Sequence, residues 1–230
     1  MVIYLHTDHD FPDPSREDVD ELLGVGGDLS PERLVAAYSK GIFPWYSEDT
    51  PILWWSPDPR LIVEPSSFHV PRRLSRILRQ NLFEFSINKD FSGVINACAT
   101  VDRPGCQGTW IIPEMIRAYT RLHYLGYAHS VEAWKNGRLA GGLYGIAIGK
   151  AFFGESMFYN VSNASKAALV KFVTFLHSWG FELIDCQQTT GHMLRFGAFE
   201  VSRKEFIGRL QKAVGAVDHG DLVWSPRSIE

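Results

Sequence analysis

Residues 129–149, HSVEAWKNGRLAGGLYGIAIG, decide the fold because they contain the strongest hairpin signal in the chain. Asn136 and Gly137 suit a two-residue turn in which both positions have positive φ. The pattern predicts one strand over residues 129–134 and a second over residues 138–149. The apolar run that follows, residues 151–159, predicts a third strand, so a sheet occupies this part of the chain.

Outward from this sheet, the pattern predicts both helices and strands. A helix is predicted over residues 163–179 and a strand over residues 181–186. Ser202 and Glu205 form a capping box for a last helix that ends near Gly215, and we expect the tail beyond it to be loosely packed. On the N-terminal side, further helices are predicted over residues 70–80, 90–99 and 113–126.

The proline-rich stretch GIFPWYSEDTPILWWSPDPR, residues 41–60, ends a separate unit. Its four prolines exclude a long helix or a central strand, so it should form a rigid, irregular surface. Ahead of it, Ser30 and Pro31 begin a short helix. We therefore expect a small N-terminal domain, residues 1–65, and an α+β domain with a mixed sheet, residues 66–230.

Composition excludes several classes of protein. With 45% hydrophobic residues and a formal net charge of −3, the chain is globular and not generally basic, so any nucleic-acid contact needs a local patch. Cys98, Cys106 and Cys186 form no CxxC pair, which argues against disulfides and a cysteine zinc site and favours a reducing cytoplasm. The acidic N-terminal sequence and the lack of a long apolar run argue against secretion and membrane insertion. We expect a monomer, since no further interface pattern is visible.

The helix VPRRLSRILRQ, residues 70–80, is a candidate for such a local patch. Its arginines, with no acidic residue between positions 65 and 83, are Arg72, Arg73, Arg76 and Arg79. A solvated amphipathic face would show the same spacing. Arginine nevertheless binds phosphate in a bidentate manner, so this helix is the candidate contact for a nucleic-acid backbone.

Aromatic residues make up 13% of the chain, and seven of them are tryptophans. Trp45, Trp54 and Trp55 lie in the proline-rich stretch, and Trp110 follows a glycine turn. Most tryptophans fill cores or interfaces. Rings on fixed loops also suit stacking on unpaired bases, which is the functional alternative here.

Two apolar strands carry polar groups where burial would be costly. Alternation places Phe181, Leu183, Asp185 and Gln187 on one face of the second strand, and Glu155 lies inside AFFGESMF. A carboxylate in such a run needs a partner or a function, so the three polar side chains are candidates for an active site. The structural alternative is that Asp185 or Glu155 accepts hydrogen bonds from backbone amides at strand ends.

Other motifs give no nucleotide or metal site. GIAIGKA lacks the spacing and the hydroxyl of a P-loop, GVGGDL lacks a complete dinucleotide fingerprint, and the histidines show no HExxH. We therefore expect no metal, ATP or coenzyme.

The sequence resembles the leucyl/phenylalanyl-tRNA-protein transferase family. The motifs that carry the resemblance are GGDLSPERL, GIFPWY, PILWWSPDPR, GTWIIPEM, LHYLGYAHSVEAW, GGLYGIAIG, FFGESMF, NASKAAL, LIDCQ and FGA. This family transfers leucine or phenylalanine from Leu-tRNA or Phe-tRNA to proteins that begin with Arg or Lys, which marks them for N-end-rule degradation. The resemblance implies a GNAT-type acetyltransferase fold for the C-terminal domain.

The resemblance also implies roles for individual residues. Asp185 and Gln187 would be the catalytic pair, Glu155 a further site residue, and Trp45 and Trp110 neighbours of the terminal adenosine of the tRNA. Whether Glu155 faces the acceptor side chain or a ribose hydroxyl is left open, as is the preference among Leu, Phe and Met. The pocket for the leucine or phenylalanine side chain would be lined by Leu143, Phe152, Met157, Leu169, Phe172 and Ile184.

Two other functions compete with this one. An acetyl-coenzyme A N-acetyltransferase of the same fold needs a pyrophosphate-binding loop at the start of a helix, and here that helix begins with NASK instead. A non-enzymatic RNA-binding module would explain the arginines and tryptophans but leaves Asp185 and Gln187 without a role.

Overall fold

A computed structural model describes residues 2–6, 11–16, 18–101, 109–215 and 224–229. Within these ranges, seven α-helices and two sheets form a mixed α+β structure, as the sequence predicts. Cys186 is a free thiol, whereas Cys106 lies outside the described residues.

The smaller sheet lies in the N-terminal part of the chain, in the order β1-β2-β4-β3. Its strands are β1 (Ile3–Leu5), β2 (Leu22–Gly26), β3 (Phe43–Pro44) and β4 (Leu53–Trp55). Helix α1 (Pro31–Ser39) starts where the sequence predicts, because the Ser30 hydroxyl accepts a hydrogen bond from the backbone N–H of Arg33 at 3.4 Å.

The larger sheet has eight strands in the order β11-β5-β10-β9-β8-β7-β6-β12. Among these described strands, only β9 and β10 pair in parallel and all other neighbours are antiparallel, so the sheet is mixed. The strands are β5 (Arg60–Val63), β6 (Glu84–Ile87), β7 (Ala128–Lys135), β8 (Arg138–Ile148), β9 (Ala151–Tyr159), β10 (Leu183–Asp185), β11 (Phe199–Val201) and β12 (Arg227–Ser228).

The central hairpin of this sheet is confirmed. Strands β7 and β8 are joined by Asn136 and Gly137, which have φ values of 52° and 72°. In β8, Gly145 allows the closest approach to β9, because a Cβ atom there would lie 2.1 Å from the carbonyl oxygen of Phe153. The pairing of β8 with β9 that shapes the site therefore depends on this glycine.

The helices cover both faces of the larger sheet. Beyond α1 they are α2 (Arg72–Leu78), α3 (Phe91–Thr100), α4 (Pro113–Tyr124), α5 (Ala164–Ser178), the single turn α6 (Gly191–Leu194) and α7 (Arg203–Gly215). Helix α6 was not predicted, and the bounds of the others agree closely with the helices predicted from capping and periodicity. Helices α3, α4 and α7 contribute to one apolar cluster that also contains the core of the N-terminal part, whereas α2 and α5 pack on the opposite face.

The predicted division of the chain at residue 65 stays a prediction. Strand β5, residues 60–63, is hydrogen-bonded within the larger sheet. In addition, the buried guanidinium of Arg203 donates to the carbonyl oxygens of Val19, Asp20 and Ser56. The two parts of the chain are therefore in extensive contact.

Three expectations are wrong. The proline-rich stretch is not an irregular surface without a central strand, because β4 lies between β2 and β3 in the smaller sheet and Trp54 is fully buried. The chain after Gly215 is not loosely packed throughout, because Trp224 is only 3% exposed and β12 pairs with β6. Residues 216–223 lie outside the described residues. The prediction that alternate residues from 181 to 187 lie on one face of a strand is also wrong. Phe181 and Leu183 pack into different apolar clusters. Strand alternation applies only to β10, and Gln187 follows it in the left-handed conformation with φ 61°.

Candidate functional site

The site lies where β9 and β10 stop pairing. Leu183, Ile184 and Asp185 pair in parallel with residues 151–153 of β9, and the pairing ends there. On its other side, β9 has a bulge, because Gly154 pairs with Gly145 whereas Ser156 pairs with Tyr144. Glu155 is the additional residue between them, and a bulge of this kind redirects side chains beside a strand edge.

A cavity of about 420 Å³ opens beside this bulge. It is lined by all six residues of the predicted side-chain pocket, which come from β8, β9, β10 and α5: Leu143, Phe152, Met157, Leu169, Phe172 and Ile184. Its size falls within the range of small-molecule sites. The structure therefore brings the predicted pocket residues together, while their role as an amino-acid pocket stays a prediction.

The cavity wall is mostly apolar. Phe152 and Phe172 pack edge to face with ring centroids 4.7 Å apart. The Cys186 thiol also lines the cavity, and burial raises its pKa well above the usual range, so it remains protonated and is not an activated nucleophile. The sequence did not single out several further lining residues, among them Val173, Thr190 and Met193.

One end of the cavity is polar and centres on Glu155. The Tyr38 hydroxyl donates to Glu155 Oε1 at 2.8 Å, and the Tyr119 hydroxyl lies 3.3 Å from Oε2. The side-chain amide of Gln187 donates to Oε1 at 2.8 Å. Glu155 thus joins α1, α4, β9 and the turn after β10 at a single carboxyl group.

The electrostatics of this carboxyl group are unusual. Burial, with a smaller contribution from the nearby charge of Asp185, raises the pKa of Glu155 to about 7, although the hydrogen bonds from Tyr38, Tyr119 and Gln187 act in the opposite direction. Burial, followed by the charge of Glu155, also raises the pKa of both phenols well above the usual range. The tyrosines are therefore neutral donors, and Glu155 can change its protonation state near neutrality.

Asp185 does not line the cavity but lies beneath it in a buried ion pair. Arg60 Nε and Nη2 donate to its two carboxylate oxygens at 2.8 and 2.6 Å, and both side chains are almost fully buried. The Arg60 guanidinium also lies against the rings of Phe43 and Phe206. Asp185 therefore has no direct access to a ligand in the cavity.

Asp185 instead supports Gln187. Its Oδ1 atom accepts the backbone N–H of Gln187 at 2.8 Å, which stabilises the left-handed turn. With Gln187 Nε2 engaged by Glu155, no group within the described ranges donates to Gln187 Oε1. Gln187 is partly exposed, and its oxygen can accept a hydrogen bond from an incoming N–H group.

The two predicted adenosine neighbours have different surroundings. Trp110 lines the cavity. Trp45 is 40% exposed and packs edge-on to Trp55 with ring centroids 6.2 Å apart. Trp54 is fully buried in the core of the N-terminal part. The structure thus places Trp110, but not Trp45, among the residues that line this cavity.

The four predicted backbone-binding arginines form one exposed patch. Arg72, Arg73 and Arg76 lie on α2 and Arg79 caps it, and all four are exposed. Within the described part of the chain none of them forms an ion pair with an acidic side chain. Helix α2 packs against α5, which lines the cavity, so the patch and the cavity lie on the same face of the larger sheet.

Sequence reasoning also missed the hydrogen-bond partners of Asp185 and Glu155, which are Arg60, Tyr38 and Tyr119. Arg60 had a signal, because an arginine at the start of the apolar strand RLIV requires a buried acid. The tyrosines had none, since a hydroxyl that faces the core cannot be distinguished from one that faces solvent by periodicity alone.

Fold and site together define a class of protein. The molecule is an α+β protein with an apolar cavity that ends at a carboxyl group, which accepts a hydrogen bond from a side-chain amide. Within the described residues, no group of three His, Cys, Asp or Glu side chains could hold a metal ion, and no helix is long and apolar enough to cross a bilayer. Such a site suits an enzyme that holds an apolar group beside a reacting partner.

Comparison with known proteins gives the family. A model of the family described as leucyl/phenylalanyl-tRNA protein transferase matches residues 62–211, and a model of its N-terminal domain matches residues 27–58. A protein of Anaeromyxobacter dehalogenans (strain 2CP-C) named leucyl/phenylalanyl-tRNA--protein transferase is 57% identical over 204 residues, which cover 89% of this chain and 88% of that one. A protein of the same name from Nitratidesulfovibrio vulgaris (strain DP4) is 57% identical over 203 residues, which cover 88% of this chain and 87% of that one. The chain belongs to the leucyl/phenylalanyl-tRNA protein transferase family and is an aminoacyltransferase.

Solved structures are much less similar. A functionally unknown conserved protein from Staphylococcus epidermidis ATCC 12228 gives a TM-score of 0.39 at 13% identity, covering 79% of this chain and 68% of that one. A similarity at this level carries no argument about fold or function.

Proposed function

We propose that this chain transfers leucine or phenylalanine from Leu-tRNA or Phe-tRNA to the α-amino group of proteins that begin with Arg or Lys. The observation that carries the proposal is the apolar cavity that ends at Glu155, whose carboxyl group accepts a hydrogen bond from the Gln187 amide. Its volume and apolar lining suit a branched aliphatic or aromatic side chain. The activity itself is that of the family to which the chain belongs.

The reaction requires the enzyme to position the amine and the ester rather than to activate either of them. The neutral α-amine attacks the ester carbonyl carbon, the C–N bond forms, and the bond from that carbon to the ribose oxygen breaks. The nitrogen loses a proton and the ribose oxygen gains one, so no net proton is consumed. An aminoacyl ester is already activated, and orientation alone can contribute about 7–11 kcal/mol.

Gln187 is the residue that would orient the amine. Its Oε1 atom can accept an N–H of the amine, while Glu155 holds its Nε2 atom. An amide is not a useful base near neutrality, so its role is to direct the nitrogen lone pair toward the ester. Asp185 acts on the amine only through the turn that it stabilises at Gln187. It is therefore a positioning residue.

The remaining contacts with tRNA follow from position and charge. The arginine patch on α2 would bind phosphates, and Trp110, at the cavity, would stack on the terminal adenosine. Trp45 would be a second stacking residue on the exposed proline-rich surface. These substrates agree with a cytoplasmic location, and the monomeric state stays a prediction.

The finer fold assignment is also a proposal. A GNAT-type arrangement for residues 66–230 is supported by the mixed sheet, by the parallel pairing of β9 with β10 and by helices on both faces. An experimental structure of the chain with an aminoacyl-adenosine analogue would test both the fold and the pocket.

A transfer assay tests the function. The protein is mixed with radiolabelled Leu-tRNA or Phe-tRNA and a peptide that begins with Arg, without ATP, and label in the peptide is measured. We expect transfer to this peptide but not to the same peptide with an acetylated amino terminus. A requirement for acetyl-coenzyme A would favour an acetyltransferase, and tRNA binding without transfer would favour an RNA-binding module; either result would overturn the proposal.

A further inference from the structure

The cavity wall contains a buried nitrogen atom that lacks a hydrogen-bond partner. His192, on α6, lines the cavity, and its Nε2 atom is buried without a partner among the described residues. The side chain as a whole is only partly buried, so the shielding from solvent is specific to this part of the ring. A shielded nitrogen without a partner is costly, and a ligand in the cavity would remove that cost by supplying the missing hydrogen bond.

The imidazole ring of His192 is held in place by its neighbours. The Thr190 hydroxyl accepts the backbone N–H of Met193 at 3.3 Å and so begins the turn of α6. The ring packs edge to face on Phe196 with centroids 5.3 Å apart, and Phe196 in turn stacks on Phe68, also at 5.3 Å. Because the ring is fixed by these contacts, little conformational freedom is lost when Nε2 binds a ligand.

The charge state of His192 suits a hydrogen-bond acceptor. Burial, followed by the charges of Lys166 and Arg195, lowers the pKa of His192 from its ordinary value, so the imidazole is mainly neutral at pH 7. A neutral imidazole with its proton on Nδ1 presents a lone pair at Nε2. Such a nitrogen accepts an N–H from a ligand and does not repel a ligand that carries a positive charge.

An aminoacyl group brings an N–H donor to this wall. Its α-amino group is attached to the same carbon as its side chain, so a side chain held in the cavity places the amine beside the cavity wall. Gln187 Oε1 is assigned to the amine of the acceptor, and Glu155 already accepts hydrogen bonds from Tyr38 and Gln187. The α-amino group therefore needs another partner, because a buried amine without one weakens binding.

We propose that His192 Nε2 accepts a hydrogen bond from the α-amino group of the aminoacyl-tRNA and so selects an α-amino acid over the same acyl group without the amine. This role rests on the function proposed above. His192 is then a specificity-determining residue, which touches the group that is transferred and takes no proton from the acceptor. An acyl group without the amine leaves Nε2 unpaired, which is the physical reason for the selection.

Binding of two unreactive analogues tests this role. Both are adenosines with an amide in place of the ester at the 3′ position. One carries leucine, and the other carries 4-methylpentanoic acid, which is leucine without its α-amino group. Calorimetry measures the dissociation constant of each. We expect the wild-type protein to bind the leucyl analogue about tenfold more tightly, and His192→Phe to bind both with similar affinity.

The substitution and its control separate recognition from packing. His192→Phe keeps a ring against Phe196 and removes only the nitrogens. His177→Phe replaces an exposed histidine in the last turn of α5 and should keep the tenfold preference of the wild type. If His192→Phe weakens the binding of both analogues by the same factor, His192 has only a structural role and the proposal is overturned.

The wild-type protein alone distinguishes two kinds of failure. If it binds neither analogue, the cavity is not a site for an aminoacyl-adenosine, and the proposed function fails together with the role of His192. If it binds both analogues equally, the cavity remains such a site and only the role of His192 is overturned.

Transfer gives a second measurement. The ratio of kcat/KM for Leu-tRNA to that for tRNA charged with 4-methylpentanoic acid is determined in the wild type and in His192→Phe. We expect this ratio to be about tenfold lower in the variant, because only the reaction of Leu-tRNA loses a hydrogen bond. A ratio equal to that of the wild type would overturn the proposal.

Discussion

Asp185 and Gln187 have different surroundings, although they are two positions apart in the sequence. Asp185 is completely buried and paired with Arg60, 125 positions away in sequence, whereas Gln187 is partly exposed and donates to Glu155, which lines the cavity. A buried pair of this kind contributes little net stability, yet removal of one partner is costly. The ion pair is thus mainly a rigid support for the Gln187 turn.

Replacement of Arg60 should lower the stability of the protein. In Arg60→Met, Asp185 remains buried without a counter-ion, so we expect the free energy of unfolding in denaturant to fall by about 3–5 kcal/mol. The double variant Arg60→Met/Asp185→Leu should regain most of that stability but not the transfer rate, because the Gln187 N–H then has no acceptor at position 185. A double variant that transfers at the wild-type rate would contradict the positioning role of Asp185.

The carboxyl group of Glu155 should make stability depend on pH. Its pKa is raised to about 7, so between its unfolded value near 4.5 and pH 7 the folded state binds more protons than the unfolded state. Stability from this group is complete below pH 4.5 and is lost as the pH rises toward 7 and beyond. Relative to wild type, Glu155→Gln should therefore gain stability between pH 5 and pH 8, by an amount on the order of 3 kcal/mol at most. Urea unfolding of both proteins at several pH values measures the difference, and a gap that does not widen with pH contradicts the raised pKa.

Among the elements, β9 shows both the strength and the limit of sequence reasoning. Its bounds, Ala151–Tyr159, were predicted from apolar content alone. The bulge at Glu155 was not predicted, because it depends on how Tyr144 and Gly145 pair across the sheet. The bulge changes which side chains face the cavity, so Phe152 and Met157 both line it although strict alternation would place them on opposite faces.

Helix α2 was also predicted from local pattern, and its function is open to direct test. If its arginines bind tRNA phosphates, Arg76→Ala/Arg79→Ala should weaken binding and reduce the slope of log K against log salt by roughly 0.7–0.9 for each phosphate that the variant no longer binds. The dissociation constant for tRNA is measured over a range of KCl concentrations. Arg138→Ala, an exposed arginine in the hairpin, is the control. An unchanged slope in the double variant would show that α2 is only a solvated face.

For the whole molecule, the cavity depends on a segment near the end of the chain. Trp224 packs edge-on to Phe172, which packs in the same manner against Phe152 in the cavity wall. Its carbonyl oxygen accepts a hydrogen bond from the Asn88 side chain at 2.7 Å. Trp224 therefore closes the core behind the pocket.

Removal of this tryptophan should affect both stability and the pocket. Trp224→Ala leaves a large void, so we expect the free energy of unfolding to fall by about 3–5 kcal/mol. Phe172 loses its support, and the ratio of kcat/KM for Phe-tRNA to that for Leu-tRNA should change. Denaturant unfolding and the two transfer rates are the measurements, with the partly exposed Trp45→Ala as the stability control. A stability within about 1 kcal/mol of wild type would contradict the packing role.

At this scale the sequence predicted the helices, the hairpin and the six pocket residues, the last through a family resemblance. It did not predict what brings distant residues together. Tyr38 and Tyr119 meet although they are 81 positions apart, and Trp224 packs behind the pocket from a tail expected to be loose. Local patterns determine elements, whereas these long-range interactions depend on the path of the chain between them.

The central claim is that Gln187 orients the acceptor amine beside an aminoacyl group held in the cavity. Its most direct test is the single-turnover transfer rate of Gln187→Ala with saturating Leu-tRNA and Arg-initiated peptide, compared with Gln188→Ala, the adjacent exposed amide. We expect a fall of about 100-fold for Gln187→Ala and little change for Gln188→Ala. A Gln187→Ala protein that transfers leucine at the full wild-type rate would contradict it.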